Sequence, residues 1–505
     1  MRRDTKGYDY IVVGGGTAGC VLAAWLSEMD SARVLLLEAG SGQQLEAMAI
    51  PPDWPTLLQT SANWGDTTVK QTATGTPTLL ARGRGLGGSS RINAMLFARG
   101  HRSVYDAWAS AGATGWGFED LLPYMKRCEN AVARSSALRG LGGPLTVAPA
   151  DPPGPLHVAC MDAAEKAGYP LAADISSGTE EGFGWVDLNI VDGKRQSAAD
   201  AYLAPARHRT NLDVVTDALV HRVRVEGSRC TGVEYSTGRE RVSVDCSGDV
   251  VLTAGTIGSS QLLLLSGIGP RAHLEEIGVE IVLDLPGVGD NLHDHPVAGV
   301  AYTSAQPVPT ARNNHGEAIG LLRSDPGLET PDFLIVFNDM AGVAAAGDEL
   351  NRAYSILTVL ATPRSRGTLR LASADPSAAP VIDPNYFGDD HDLTTMISAL
   401  RAARRIGQAT PLNPWRGQEI APGPDVQDEA EFAAYIDGTL ASIFHPVGTC
   451  RIGSDDLAVV DTELRLHGIS GLRVADASVM PSIVTNTPNA TVYAIAERAA
   501  ELIRS

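Results

Sequence analysis

Tyr8–Gly40 reads YDYIVVGGGTAGCVLAAWLSEMDSARVLLLEAG. Tyr10–Val13 is β-branched and aromatic, the composition of a buried strand. Gly14-Gly15-Gly16-Thr17-Ala18-Gly19 follows at once, then Cys20–Leu26 with apolar residues suited to a helix on a sheet. Arg33–Leu37 is a second apolar strand, closed by Glu38 and Ala39. In such a strand–turn–helix–strand unit Gly14 permits the tight turn, Gly16 lets backbone approach a pyrophosphate, and Gly19 lets the helix pack closely. The helix N-terminus offers free N–H groups and partial positive charge to phosphate. Glu38 lies about 20 residues beyond the glycines, where a carboxylate accepts from adenosine ribose hydroxyls. The acid favours FAD or NAD over NADP. A glycine-rich turn in an ordinary βαβ unit would not explain why Glu38 ends the second strand.

The 505 residues are enough for two or three domains or one large interleaved body. At 44% hydrophobic and 20% charged, the composition is that of a globular protein. A net charge of −19 argues against nucleic acid and anionic membrane as partners. The six cysteines show no CxxC pair and no small disulfide framework, which suits a reducing cytoplasm. Met1-Arg2-Arg3 resembles the start of a secretory or twin-arginine signal, but the apolar run after it is short and enters Gly14 directly, so it reads as the first core strand. No run of about 18 apolar residues exists, so no membrane span is expected.

Further along, residues 42–78 read as an irregular excursion, with Asn63-Trp64-Gly65-Asp66 either near a cofactor or in surface packing. Arg82-Gly83-Arg84-Gly85-Leu86-Gly87-Gly88-Ser89-Ser90-Arg91-Ile92-Asn93 has the glycines and small hydroxyls that let backbone approach a flat or charged ligand. Helices are expected over 108–127 with a break near Gly112–Gly117, and over 157–168, 198–206, 258–265, 271–277, 393–408, 429–440 and 489–503. Strands are expected at 212–215 and 219–225, a hairpin at 230–235 and 241–246, and a buried strand at 250–254 that ends in Ala254-Gly255. Residues 297–370 resemble an antiparallel sheet in a second domain. His293-Asp294-His295 has ligand-type side chains but no third candidate at metal-ligand spacing, and reads as a structural pair.

End to end, the chain resembles the glucose–methanol–choline (GMC) family of flavin oxidoreductases. Gly83–Asn93, with Arg99-Gly100 and Asp106, matches the first signature; Gly255–Leu263 and Ser266-Gly267-Ile268-Gly269 match the second. Pro286–His295, Phe444–Arg451 and Leu472–Pro481 match further family landmarks. Ser260 stands where the family usually has proline, and a slightly different helix start is expected.

The resemblance implies an α/β fold, α+β overall. A Rossmann-like FAD-binding domain would be assembled from residues 1–150, 206–296 and 451–505. A substrate domain with an antiparallel sheet flanked by helices would come from 151–205 and 297–450. It implies His445 as the catalytic histidine and Asn489 as the second active-site residue. It implies FAD contacts from Gly14, Gly16, Thr17, Ala18, Gly19, Glu38, Ala39, Arg82, Gly87, Gly88, Ser89, Asn93, Ala94, Met95 and Leu96. Val220, Ala254, Gly255, Asp476, Ala477, Asn489, Ala490 and Thr491 complete that set. Some members attach FAD covalently through a histidine in the first signature; Ile92 occupies the aligned position, which implies non-covalent FAD.

The expected reaction is oxidation of an alcohol, most simply a primary one to its aldehyde. Hydride would pass to flavin N5 with His445 as base, and the electrons then to O2 or another acceptor. A free imidazole has a pKa of about 6.5 and takes a proton near neutrality. Asn489 would donate a hydrogen bond to the developing alkoxide. Three rivals share parts of the pattern: a hydroxynitrile lyase on the same FAD scaffold, a non-catalytic flavoprotein, and an NAD-dependent dehydrogenase sharing only the opening βαβ unit. The middle and C-terminal parts resemble bacterial primary-alcohol oxidases and dehydrogenases of the family. The expected partners are a small alcohol and an electron acceptor. No motif encodes the alcohol, the acceptor or the oligomeric state.

Overall fold

Ile11, Val12 and Val13 are all buried, and they pair in parallel with Leu35, Leu36 and Leu37 on one side and Val250, Val251 and Leu252 on the other. Buried on both faces, these strands need no polar alternation, which is why they read as continuous apolar runs. The computed structural model describes residues 2–134, 137–341 and 352–505. The first sheet has seven strands. Its main order is Leu212–Val215, Val34–Leu37, Arg2–Val13, Glu240–Leu252, Arg229–Thr237 and Ala218–Glu226, and Leu472–Val474 pairs with Glu240–Leu252. The pairings from Leu212–Val215 through to Leu472–Val474 are parallel, whereas Ala218–Glu226, Arg229–Thr237 and Glu240–Leu252 run antiparallel in sequence.

Two expectations merge here. The second hairpin strand and the buried strand at 250–254 are one 13-residue strand, Glu240–Leu252. Its first half continues the hairpin, and its second half enters the parallel core to deliver Thr253, Ala254 and Gly255 to the carboxyl edge of the sheet. The first strand is likewise longer than read, because Arg2–Asp4 pair with Val242–Val244. The helix after Glu240–Leu252 starts at Gly255 rather than Gly258. Ser260 therefore sits inside it, with its hydroxyl donating to the Thr256 carbonyl one turn back (2.8 Å).

A second, antiparallel seven-stranded sheet has the main order Arg416–Ala421, Pro296–Ser304, Ala353–Leu360, Phe333–Asn338, Ala318–Leu322 and Gly182–Trp185, with Ala441–Ser442 added beside Pro296–Ser304. Residues 342–351 of the expected β-rich stretch lie outside the described residues. One face of this sheet packs on the helices Pro155–Lys166 and Asp390–Gly407 through Phe183, Phe337, Tyr354, Ile356, Met396 and Leu400. Phe183 and Phe337 stack with centroids 5.4 Å apart. Gly320 makes room for them: a Cβ there would lie 2.5 Å from the Phe183 ring. The opposite face carries Ile319, Leu321, Leu334 and Val359, and meets Ala98 and Ile443. Both sheets thus end at the two segments expected to carry the chemistry. Ala441–Ser442 runs from the second sheet into His445, and Leu472–Val474 runs from the first into Asp476.

Phe337 has no exposed surface. Phe337→Ala should destabilise the fold by about 3–5 kcal/mol, the usual cost of removing a buried aromatic ring, read as a lowered thermal unfolding midpoint.

Candidate active site

The glycine turn is built by close backbone packing. Gly14 has φ +106°, and a Cβ there would lie 2.6 Å from the Thr253 carbonyl oxygen. A Cβ on Gly19 would fall 1.9 Å from the Gly14 oxygen, so the helix Thr17–Leu26 can approach the strand only with glycine there. The first-signature loop lies directly on this turn. The Gly87 N–H donates to the Gly15 carbonyl (2.7 Å), and a Cβ on Gly88, at φ +51°, would sit 2.6 Å from the Gly16 Cα. Gly16 differs. Its φ is −74°, and a Cβ there would meet nothing in the protein closer than 3.8 Å. Packing does not demand glycine at that point, whereas a diphosphate laid against the backbone does.

Glu38 is buried, and its carboxylate accepts three backbone N–H groups: Gly15 on Oε2 (2.7 Å), and Gly40 (2.7 Å) and Gly85 (2.9 Å) on Oε1. A carboxylate has about four acceptor positions, so one stays free for a ribose hydroxyl. The Ala218 N–H donates to the Glu38 carbonyl (2.9 Å), which sets Val220 two residues along the same strand. Three helix N-termini converge beside this turn. Thr17 Oγ1 donates to Asn489 Oδ1 (3.0 Å), joining the helices Thr17–Leu26 and Asn489–Arg504, and the third, Gly255–Leu265, starts where the Gly255 N–H donates to Asp476 Oδ2 (2.9 Å). Their summed dipoles favour an anion. Gly16, Arg82, Asn93, Ala94, Leu96, Ala254, Gly255, Ala477 and Asn489 all keep partial exposure among buried neighbours. These features fit a dinucleotide.

Several expected contact residues also hold the loops. Asp476 is buried, accepts from Gly255 N–H, Ser259 Oγ (2.6 Å) and Ser478 Oγ (2.6 Å), and its carboxyl is pushed up by burial. Asn93 Oδ1 accepts from Met95 N–H (3.1 Å) and Arg195 Nη1 (2.7 Å). Met95 itself has φ +59°. Arg82 pairs with Asp66 and stacks on Trp64 at 4.2 Å, so the Asn63–Asp66 stretch packs on the first signature. Ser89 Oγ accepts from the Gly83 N–H (3.1 Å). Thr491 Oγ1 bonds the Tyr105 hydroxyl (2.7 Å) behind the site, beside the buried Ala490. Ile92 is buried in an apolar cluster with Met48, Leu57 and Ala62.

His445 follows Phe444, which holds φ +67°, a conformation rare for a bulky side chain. Asp294 enforces this turn. Its Oδ1 accepts the His445 N–H (2.7 Å), and its Oδ2 accepts from the Ser442 hydroxyl (2.5 Å) and from Tyr386. Ser442 Oγ in turn accepts the Phe444 N–H (2.7 Å). The His445 ring meets His295 with the two Nδ1 atoms 3.0 Å apart. His445 keeps some surface, yet protein encloses it closely enough that burial lowers its pKa well below 6.5; a charge on His295 would lower it further, but that ring, pushed down to about 4 by its own burial, is uncharged near neutrality.

Two family models described as GMC oxidoreductase match residues 8–297 and 363–496. The chain belongs to the GMC oxidoreductase family. It is 38% identical to the mitochondrial choline dehydrogenase of Homo sapiens, over 98% of this chain and 90% of that one. It is 36% identical to an oxygen-dependent choline dehydrogenase of Brucella anthropi, over 98% and 95%. Among solved structures, pyridoxine 4-oxidase from Mesorbium loti superposes with a TM-score of 0.94 at 36% identity, covering 98% of this chain and 99% of that one. This GMC oxidoreductase is an alcohol-oxidising enzyme with FAD as its cofactor.

Within this GMC enzyme, His445 has His295 rather than Asn489 as its hydrogen-bonding partner, and Asn489 is tied to Thr17. Asp294 and His295 went unrecognised as site residues in the sequence reading, although the run His293-Asp294-His295 was the available signal. It was weighed for a metal; among the described residues no group of three or more His, Cys, Asp or Glu is placed to hold one. No helix among them is long and apolar enough to cross a membrane.

Gly88→Ala places a Cβ into the Gly16 backbone and forces a left-handed φ on alanine. It should yield protein depleted in FAD, seen as a lost flavin absorbance relative to protein absorbance.

Proposed function

We propose that this enzyme oxidises a primary alcohol to the aldehyde with His445 as the base. The observation that carries this is the geometry of the His445 ring. It is engaged at Nδ1 by His295 (3.0 Å), and Nε2 has no hydrogen-bond partner among the described residues, while burial lowers its pKa and so favours the neutral ring. A general base needs a lone pair at a defined atom within reach of the hydroxyl proton. Asp294 fixes the main chain of His445, so the imidazole is held at both its root and its rim. When bound, FAD supplies the two-electron acceptor for the carbinol hydride. Removal of the hydroxyl proton by Nε2 raises electron density on that carbon and makes hydride loss easier. We assign Asn489 to the same site as a polar contact, its Oδ1 held by Thr17 and its amide N–H groups left as donors.

We divide the chain into cofactor segments 1–150, 206–296 and 451–505 and substrate segments 151–205 and 297–450. The first sheet takes its strands from the former set, and the second sheet almost wholly from the latter. We further propose that FAD is bound without a covalent bond, because Ile92 is packed into apolar core.

Anaerobic flavin reduction, followed at the long-wavelength visible band, tests the reaction. Choline and pyridoxine are alcohols to include because relatives carry them in their names; benzyl alcohol and hydroxymethylfurfural extend the panel. His445→Ala should keep FAD and slow reduction by about 10²–10⁴; undiminished reduction would remove His445 from the chemistry. Because burial lowers the His445 pKa, the lone pair persists as pH falls, and the inflection of the reduction rate should lie below the ordinary value of about 6.5. Air admitted after reduction identifies the acceptor: rapid return of the band marks an oxidase. Acid or urea denaturation should release all yellow colour into the filtrate, and colour left on the polypeptide would contradict non-covalent binding.

A further inference from the structure

The Nδ1–Nδ1 contact between His295 and His445 takes its hydrogen placement from the main chain around His295, where the Ala361 carbonyl lies within hydrogen-bond distance of Nε2 and the Val484 carbonyl also faces the ring. His295 Nε2 lies 3.1 Å from the Ala361 carbonyl oxygen, which can only accept, so that nitrogen carries a hydrogen. Burial pushes the His295 pKa down to about 4 and the His445 pKa well below 6.5. Neither ring therefore holds a second proton near neutrality, and each has a single N–H. His295 spends its own on Ala361, so its Nδ1 is a bare lone pair. The hydrogen between the rings then belongs to His445 Nδ1, and the lone pair of His445 falls on Nε2.

We propose that His295 is a positioning residue that holds His445 in the Nδ1–H tautomer and so makes Nε2 the base. This rests on the reading of His445 as base. The surrounding charges leave the assignment intact. Asp294 spends its oxygens on the His445 main-chain N–H, Ser442 and Tyr386 rather than on either ring. The His293 ring turns away, with Nδ1 against the Asn291 carbonyl (2.6 Å) and Nε2 accepting from the Ile483 N–H (2.8 Å). Arg366 is held by Asn291 and by the carbonyls of Pro363 and Ser365. When the substrate O–H bond breaks, its proton forms an N–H bond at His445 Nε2. The resulting imidazolium donates through Nδ1–H to the His295 lone pair, which stabilises it without adding charge. The hydride leaves separately to the bound FAD.

The test uses the FAD-loaded enzyme and the best alcohol of the panel, comparing His295→Leu, His295→Asn and His445→Ala by stopped-flow reduction against pH. Leucine removes the acceptor, while the asparagine Oδ1 can replace Nδ1. We expect His295→Leu to keep its flavin, lose roughly a hundredfold or more in limiting reduction rate, and shift its inflection to lower pH, since the imidazolium loses its acceptor. His295→Asn should recover most of the rate and the inflection. A wild-type rate in His295→Leu, or equal slowing of both variants with an unmoved inflection, overturns the proposal. If His445→Ala reduces at the wild-type rate, the base assignment has failed instead. Independently of any variant, 15N-histidine spectra of the wild-type enzyme at neutral pH should show His445 protonated at Nδ1 and bare at Nε2; the reverse would overturn the proposal.

Discussion

One buried carboxylate ties the cofactor site together. Glu38 accepts N–H groups from the glycine turn, from the turn after its own strand and from the first-signature loop, and so ties together three pieces of chain through one side chain. Hydrogen bonds that involve a charged group are worth about 1.5–3 kcal/mol each, and the Arg91 guanidinium stands near enough to interact with the same side chain. The glycines follow from that constraint. Gly85, Gly87 and Gly88 all hold positive φ because the loop must fold back onto Gly15 and Gly16 while presenting its N–H to Glu38. A side chain at Gly19 or Gly88 would push these strata apart, and the anion-facing helix start would lose its backbone wall.

The catalytic end is organised by a comparable device. Three consecutive residues hold two distant segments: His293 bonds Ile483 on the way to Asn489, while Asp294 fixes the turn of His445 and His295 meets its ring. That run lies just before the strand Pro296–Ser304, beside which Ala441–Ser442 pairs. Strand pairing therefore brings His445 within reach across 150 residues of sequence, and side-chain bonds complete the alignment. The left-handed φ of Phe444 is a cost of that alignment, sustained because Ser442 and Asp294 bind the amides on either side of it.

The parallel core and the glycine turn were legible because their signals are local. Buried parallel strands leave unbroken apolar runs, and a phosphate turn leaves glycines at fixed spacing. The second role of Glu38 was invisible. A ribose-binding acid and an acid that clamps three amides have the same letter at the same place, and only the fold shows the clamp. The strand Glu240–Leu252 was split in two because its period changes midway, from half-exposed hairpin to fully buried core. His295 was hidden for a different reason. Its partner is 150 residues away, and a run of histidine, aspartate and histidine read as a structural pair carries no sign of which other imidazole it meets.

The choice of histidine rather than a carboxylate behind His445 has a physical logic. A buried carboxylate against an imidazole favours the imidazolium and raises its pKa. A base of that kind would be protonated over a wider range of pH, and less of it would be ready to take the alcohol proton. In the Ser-His-Asp arrangement the carboxylate holds the tautomer and stabilises the imidazolium that forms. Here the ring is enclosed, and a neutral partner gives orientation without charge. Ala361 completes the argument: by fixing the hydrogen of His295 at Nε2, a main-chain carbonyl that cannot titrate decides which nitrogen of His445 is bare. The proton inventory of the site is then set by backbone geometry, and it stays fixed over the whole range in which both imidazoles are neutral.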